Sequence, residues 1–128
     1  MPRIMIIDNN LTYGQMLADI LKTKISSSVI NLSANCVDLM DQFKQFSPDI
    51  VLIDVQSMGT ACCGLTKKIK AHHLALRVIW ITSHDEPEYL QKAKGSGVDY
   101  CLSKNSISMD GIIDIIFVER KTDRIMDN

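Results

Sequence analysis

The sequence IVLID at residues 50–54 decides the fold class, because four apolar residues stand in a row and a carboxylate follows them. A strand with one solvated face alternates apolar and polar residues, whereas an unbroken apolar run is typical of a parallel strand that helices cover on both faces. The sequence VIWI at residues 78–81 has the same character. These two runs therefore predict the central strands of a parallel sheet.

Three shorter apolar runs predict further strands, with the sequences IMII at residues 4–7, VINL at residues 29–32 and YCL at residues 100–102. Between the strands, apolar residues recur at the spacing of a helical face. The first predicted helix carries Leu11, Met16, Leu17, Ile20 and Leu21 on one face. Others are predicted around residues 37–43, 65–70, 87–95 and 107–118. This alternation predicts an α/β, flavodoxin-like doubly wound (βα)5 fold with a five-stranded parallel sheet.

Length and composition limit the class of protein. A chain of 128 residues suits one domain. Hydrophobic residues make up 46% and charged residues 23%, and no apolar run approaches the roughly 18 residues of a membrane span. The start of the chain lacks the features of a secretory signal, and a net charge of −1 gives no electrostatic reason to bind nucleic acid. We expect a soluble, cytoplasmic protein without direct contact to membrane or nucleic acid.

Polar residues follow the predicted strands at the edge where ligands bind in this fold. They are Asp8, Asn9, Asp54, Thr82, Ser83 and Lys104. Two carboxylates beside an amide oxygen form a hard oxygen site that suits Mg2+. A hydroxyl and an ammonium group complete a phosphate pocket, in which a carboxylate in line can act as the acceptor nucleophile. Each residue taken singly has an ordinary structural role, but their joint occurrence at one edge favours a site.

The spacing of these residues resembles the receiver domain of two-component response regulators. Thr82 follows Asp54 by twenty-eight residues, and Lys104 follows Thr82 by twenty-two. The segments ITSHD at residues 81–85 and GVDYCLSK at residues 97–104 are similar to receivers of the nitrate-response class. The resemblance covers essentially the whole chain, so we expect a receiver domain over residues 1–121 and a polar C-terminal tail over residues 122–128.

The resemblance implies that Asp54 accepts a phosphoryl group from a histidine kinase or phosphotransfer protein, with Mg2+ as cofactor. It implies no enzymatic activity beyond self-catalysed phosphoryl transfer and slow hydrolysis. The implied metal ligands are Asp8, Asn9, Asp54 and the backbone carbonyl of Gln56. The implied phosphate-binding and switch residues are Thr82, Ser83, Lys104 and Cys101, and hydrolysis would be tuned by Gln56 and His84. The surface formed by the helix at residues 87–95, the fifth strand and the last helix would change on phosphorylation.

The chain departs from the family at several of these positions. Asn9 stands where the family usually has a second acid, which predicts weakened but surviving Mg2+ binding. Cys101 stands in place of the switch aromatic, which predicts a muted or rerouted conformational response. Met58 and Cys62 replace the usual Pro and Gly of the loop after Asp54, and Asn105 follows Lys104 where the family often has Pro.

Other functions stay open. A degenerate receiver that acts as a phosphorylation-independent interaction module is the main alternative. A flavodoxin-like enzyme or nucleotide binder would need a glycine-rich phosphate motif that the sequence lacks, and metal binding by His72 and His73 fails on spacing. The apolar residues of the last helix leave room for a homodimer surface. The chain either works alone through protein contacts or is a piece of a regulator with a C-terminal output domain.

Overall fold

The computed structural model describes residues 2–34, 38–58, 62–73, 75–83 and 87–116 of the chain. The strands are β1 (Arg3–Ile7), β2 (Val29–Ser33), β3 (Ile50–Asp54), β4 (Arg77–Thr82) and β5 (Tyr100–Ser103). The helices are α1 (Leu11–Lys24), α2 (Leu39–Phe46), α3 (Val55–Met58), α4 (Cys62–His72), α5 (Pro87–Ser96) and α6 (109–116). No helix within these ranges has the length and apolar character that a bilayer crossing requires.

The five strands form one parallel sheet in the order β2-β1-β3-β4-β5. This is the strand order of the flavodoxin-like doubly wound fold, and it confirms the predicted fold class. All five residues of β3 are buried, as the unbroken apolar run at residues 50–53 predicts. The order places β1 and β3 side by side at the switch point of the topology, which is where ligands bind in such sheets.

The side chains of the sheet alternate between two buried clusters, because successive residues of a strand point to opposite faces. The first cluster includes Met5, Ile7, Phe43, Val51, Ile53 and Trp80. The second includes Ile4, Ile6, Leu17, Leu21, Leu52 and Ile112. Within the first, the indole N–H of Trp80 donates to Thr66 Oγ1 at 2.9 Å, so the one polar atom of this large side chain is satisfied. Helices therefore cover both faces of the sheet.

The prediction for the buried face of α1 was wrong at two positions. Leu11 and Met16 are each 52% exposed, whereas Leu17 and Leu21 are buried. The buried residues of α1 are Gly14, Leu17, Ala18 and Leu21, which follow one another at helical spacing. Gly14 lies so close to β2 that a Cβ atom added to it would be only 2.7 Å from Leu32 Cδ1. Met16 lies on the opposite side of the helix from Gly14, and Leu11 is the first residue of the helix, so both are exposed.

The structure also adds one helix that was not predicted and moves the start of another. The four-residue helix α3 begins directly after β3, where the sequence predicts only a loop. The last helix begins at residue 109 and not at Ile107, because the Ser108 hydroxyl accepts a hydrogen bond from the Gly111 N–H at 3.0 Å and caps the first turn.

Several predictions for the C-terminal part stay untested. Ile112, Ile113 and Ile116 are buried in the second apolar cluster and Ile115 is half-buried, so these residues are largely taken up inside the chain. The homodimer itself stays a prediction. The predicted end of the last helix, the domain boundary at residue 121 and the tail at residues 122–128 lie outside the described residues.

Candidate functional site

The carboxyl ends of β1, β3 and β4 bring three polar side chains to one edge of the sheet. Asp8 follows β1, Asp54 is the last residue of β3, and Thr82 is the last residue of β4. Their exposed fractions are 2%, 5% and 4%. The turn after β5 brings Lys104 to the same edge, because its backbone N–H donates to the Thr82 carbonyl at 2.8 Å. The structure thus unites predicted site residues that lie up to 96 positions apart in the sequence.

One ammonium group faces two carboxylates at this edge. Lys104 Nζ is 2.9 Å from Asp8 Oδ2 and 3.8 Å from Asp54 Oδ2. Burial raises the pKa of Asp54, the Asp8 carboxylate raises it further, and the opposing effect of Lys104 is smaller than either. The site carries more buried negative charge than its lysine compensates. Such an environment favours a bound cation.

Asp54→Asn is expected to stabilise the fold at pH 7 without divalent cations, by on the order of 1 kcal/mol. The pKa of Asp54 is raised in the folded state, so the unfolded chain releases this proton at a lower pH than the folded chain does. The stability contributed by the protonated group is present below the ordinary carboxyl pKa and is lost as pH rises through the raised value. Urea denaturation of both proteins in EDTA over a pH series measures the difference.

The two stability curves should converge at acid pH and separate toward neutrality. Asp114→Asn is the matched control, because Asp114 is exposed in the interior of α6 and its replacement should change little. An Asp54→Asn protein that is less stable than the parent at pH 7 would show that the site holds no excess of negative charge.

The carboxylate of Asp54 is also bound by the first residues of α3. The Gln56 N–H donates to Asp54 Oδ1 at 3.3 Å, and the Ser57 hydroxyl donates to Asp54 Oδ2 at 3.2 Å. Ser57 Oγ in turn accepts from the backbone N–H of Asn9 at 2.8 Å. Sequence reasoning missed Ser57, since a serine three residues after a strand-end aspartate has no distinctive pattern.

The side chain of Gln56 connects α3 to the end of β4. Its Nε2 donates to Thr82 Oγ1 at 3.0 Å, and its Oε1 accepts from the Ser83 N–H at 3.1 Å and from the Ser83 hydroxyl at 3.3 Å. The carbonyl of Ser83 accepts from Asn105 Nδ2 at 2.7 Å. Gln56, Thr82 and Ser83 therefore lie together, and a hydrogen-bonded path continues from them to the turn after β5.

The remaining predicted site residues are Asn9, Cys101 and His84. Asn9 is exposed next to Asp8. Cys101 is half-buried and contacts the first apolar cluster, where burial raises the pKa of its thiol. The register of β4 and β5 sets Cys101 opposite Trp80, whereas Thr82 is opposite Ser103. His84 lies outside the described residues.

The oxygen donors at this edge fit Mg2+. Asp8 and Asp54 supply two buried carboxylates that one lysine does not neutralise, and the backbone carbonyl of Gln56 comes two residues after Asp54. Mg2+ commonly binds one or two carboxylates and fills its other positions with water and phosphate oxygens. Over the part of the chain that the structure describes, no group of three or more His, Cys, Asp or Glu side chains could hold a metal ion. The carboxylate and carbonyl oxygens are hard donors, which is the type of ligand that suits Mg2+.

The sequence matches a known protein family and is similar to several known proteins. Residues 4–117 match the family model of the response regulator receiver domain. The chemotaxis protein CheY of Halobacterium salinarum is 23% identical over 117 residues, which cover 89% of this chain and 96% of that protein. The probable transcriptional regulatory protein NarL of Mycobacterium tuberculosis is 23% identical over 104 residues, which cover 81% of this chain. The aligned part is 48% of that NarL protein, so the chain spans about half of its length.

Solved structures share the fold at low sequence identity. A CheY-like receiver domain from Methanospirillum hungatei has a TM-score of 0.81 at 15% identity and covers 100% of this chain and 99% of its own. A LuxR-family DNA-binding response regulator from Staphylococcus aureus has a TM-score of 0.79 at 22% identity, with 91% and 96% covered. The receiver domain of a putative NarL from Mycobacterium tuberculosis has a TM-score of 0.78 at 20% identity, with 94% and 96% covered.

Proposed function

The chain belongs to the response regulator receiver domain family, and from that premise we propose that Asp54 accepts a phosphoryl group with Mg2+ bound beside it. A receiver is a module of two-component signalling and not a conventional enzyme, and it implies a kinase partner. The observation that carries the proposal is the buried pair of Asp8 and Asp54 with Lys104 Nζ 2.9 Å and 3.8 Å from their carboxylates. The proposed donor is the phosphohistidine of a histidine kinase or phosphotransfer protein.

The proposed transfer uses a carboxylate oxygen of Asp54 as the nucleophile. This oxygen attacks the phosphorus, the phosphorus–nitrogen bond of the donor breaks, and the leaving imidazole takes up a proton. Lys104 neutralises charge on the phosphoryl oxygens as it develops. Mg2+, held by Asp8, Asp54 and the carbonyl of Gln56, would supply further positive charge at the same oxygens.

The conformational response is proposed to run through Gln56. The Gln56 carboxamide donates to Thr82 Oγ1 through Nε2 and accepts from the Ser83 N–H through Oε1. A phosphoryl group on Asp54 would compete for the same hydroxyl and N–H, so the carboxamide has to give them up. The Ser83 carbonyl also accepts from Asn105, which follows β5. A change at Gln56 could therefore reach β5 through Ser83 and Asn105, without the aromatic residue that the family has where this chain has Cys101. The path supports a rerouted response.

Beryllofluoride binding tests the proposed function in the unmodified protein. With Mg2+ present, we expect a bound beryllofluoride signal by fluorine NMR and a change in the fluorescence of Trp80, which is buried in β4 two residues before Thr82. Both signals should disappear in EDTA and in Asp54→Asn. Absence of the bound signal in the parent protein would contradict the proposal.

That negative result would favour the alternative of a phosphorylation-independent interaction module. Two observations give this alternative its weight. Asn9 gives the metal site one negative charge fewer than the second acid that the family usually has there. Gln56 already makes hydrogen bonds with the Thr82 hydroxyl and the Ser83 N–H, which a phosphoryl group would need. The structural pair Asp8 and Lys104 would then serve only to hold the strand ends together.

A further inference from the structure

An aromatic ring lies against the lysine of the site. Lys104 Nζ is 4.0 Å from the centroid of the Tyr13 ring, within the range of a cation–π interaction. The same nitrogen contacts the carboxylates of Asp8 and Asp54. Among the described residues, the ammonium group therefore contacts Asp8, Asp54 and Tyr13, and of these the receiver resemblance did not assign Tyr13 to the site.

Helix α1 fixes the position of this ring. Asn10 is the N-cap of α1, and its Oδ1 accepts from the Tyr13 N–H at 3.1 Å in the first turn. The Tyr13 side chain also contacts the second apolar cluster, which contains Leu17 and Ile112. Lys104, by contrast, carries its charge on a flexible four-carbon side chain. A fixed ring beside a flexible ammonium group restricts where the ammonium group can go.

The ring attracts Lys104 through its π face and not through a negative charge. Burial raises the pKa of the Tyr13 phenol, and the carboxylates of Asp8 and Asp54 raise it further. The phenol is therefore neutral at pH 7. A phenylalanine at this position would present the same face to Lys104.

We propose that Tyr13 is a positioning residue, which holds Lys104 at the two carboxylates before the phosphoryl group arrives. This inference rests on the proposed phosphorylation of Asp54. A lysine that already lies in place needs little reordering when charge develops on the phosphoryl oxygens. Without the ring, Lys104 would still pair with Asp8 but would spend less time within reach of Asp54.

The test compares Tyr13→Leu, which removes the ring, with Tyr13→Phe, which keeps it. With saturating Mg2+ and acetyl phosphate as donor, Tyr13→Leu should lower the rate of Asp54 phosphorylation by about 3- to 30-fold. Tyr13→Phe should keep most of the parental rate, because it retains the ring. If the Tyr13 hydroxyl group were the important feature, Tyr13→Phe would instead be as slow as Tyr13→Leu. Tyr100→Leu makes the same change at an exposed position of β5 and controls for the loss of a tyrosine elsewhere.

A second readout needs no phosphorylation. In the parent protein and in Tyr13→Phe, the ring current should shift the Lys104 ε-methylene protons upfield in NMR spectra, and Tyr13→Leu should lose this shift. A parent protein without the shift, or a Tyr13→Leu protein that reacts at the parental rate, would overturn the inference. If the parent takes up no phosphoryl group at all, the proposed function fails, while the ring-current shift still decides whether Tyr13 holds Lys104.

Discussion

Lys104→Met is expected to lower the rate at which Asp54 takes up a phosphoryl group by about 100-fold or more. Lys104 is the cation that lies 2.9 Å from Asp8 and 3.8 Å from Asp54, and methionine keeps much of its length without the charge. Loss of one preorganised charge at a site of transition-state charge typically has an effect of this size. Time courses with acetyl phosphate and Mg2+, followed by intact mass, measure the rate.

The same substitution should also affect the fold. In EDTA, Lys104→Met leaves two buried carboxylates without their cation, which destabilises the protein by about 3 kcal/mol. Mg2+ should restore much of that loss, since it binds the folded state. Lys67→Met changes an exposed lysine of α4 and should alter neither quantity. A Lys104→Met protein with the parental phosphorylation rate would remove Lys104 from the proposed mechanism.

Asp8→Asn is expected to weaken Mg2+ binding by about tenfold or more. The substitution leaves Asp54 as the one ionised ligand and deprives Lys104 of its nearest carboxylate, so that Lys104 can turn to Asp54 and compete with the metal. Asn9→Asp makes the opposite change in charge at the neighbouring position and should tighten Mg2+ binding. Calorimetric titration in a buffer of constant ionic strength measures both affinities.

Asp114→Asn again serves as the control for a lost surface charge. The parent protein should respond to Mg2+ at millimolar levels, because Asp8 and Asp54 still supply two carboxylates despite Asn9. Equal affinities for the parent, Asp8→Asn and Asn9→Asp would place the metal elsewhere. No response of the parent at millimolar Mg2+ would contradict the expectation that binding survives the loss of the second acid.

The sheet could be predicted from the sequence because its central strands are covered on both faces. The runs at residues 50–53 and 78–81 are apolar throughout, which few structures other than a covered parallel strand require. The buried face of α1 was harder to predict. One position of that face is Gly14, which approaches Leu32 closely, and a glycine adds nothing to the apolar pattern from which the face was predicted. Leu11 and Met16 are apolar and were assigned to the face, although Met16 lies opposite Gly14 and Leu11 is the exposed first residue of the helix.

Apart from Gln56, which the family resemblance supplied, the candidate site was predictable where strand ends determine it. Asp8, Asp54 and Thr82 end or follow strands, so the sheet alone brings them to one edge. Tyr13 and Ser57 reach the site from the first turns of helices, and their contacts depend on how those helices meet the sheet. Side-chain contacts of this kind follow from three-dimensional packing and not from residue spacing, which is why neither residue could be identified in the sequence.

Intact-protein mass spectrometry tests the central claim most directly. The protein is incubated with acetyl phosphate in Mg2+ or in EDTA, with Asp54→Asn treated in parallel. The account predicts the gain of one phosphoryl group in Mg2+, and no gain in EDTA or in the Asp54→Asn protein. An unmodified parent in Mg2+, or an equal gain in Asp54→Asn, would contradict the assignment of Asp54 as the phosphoacceptor.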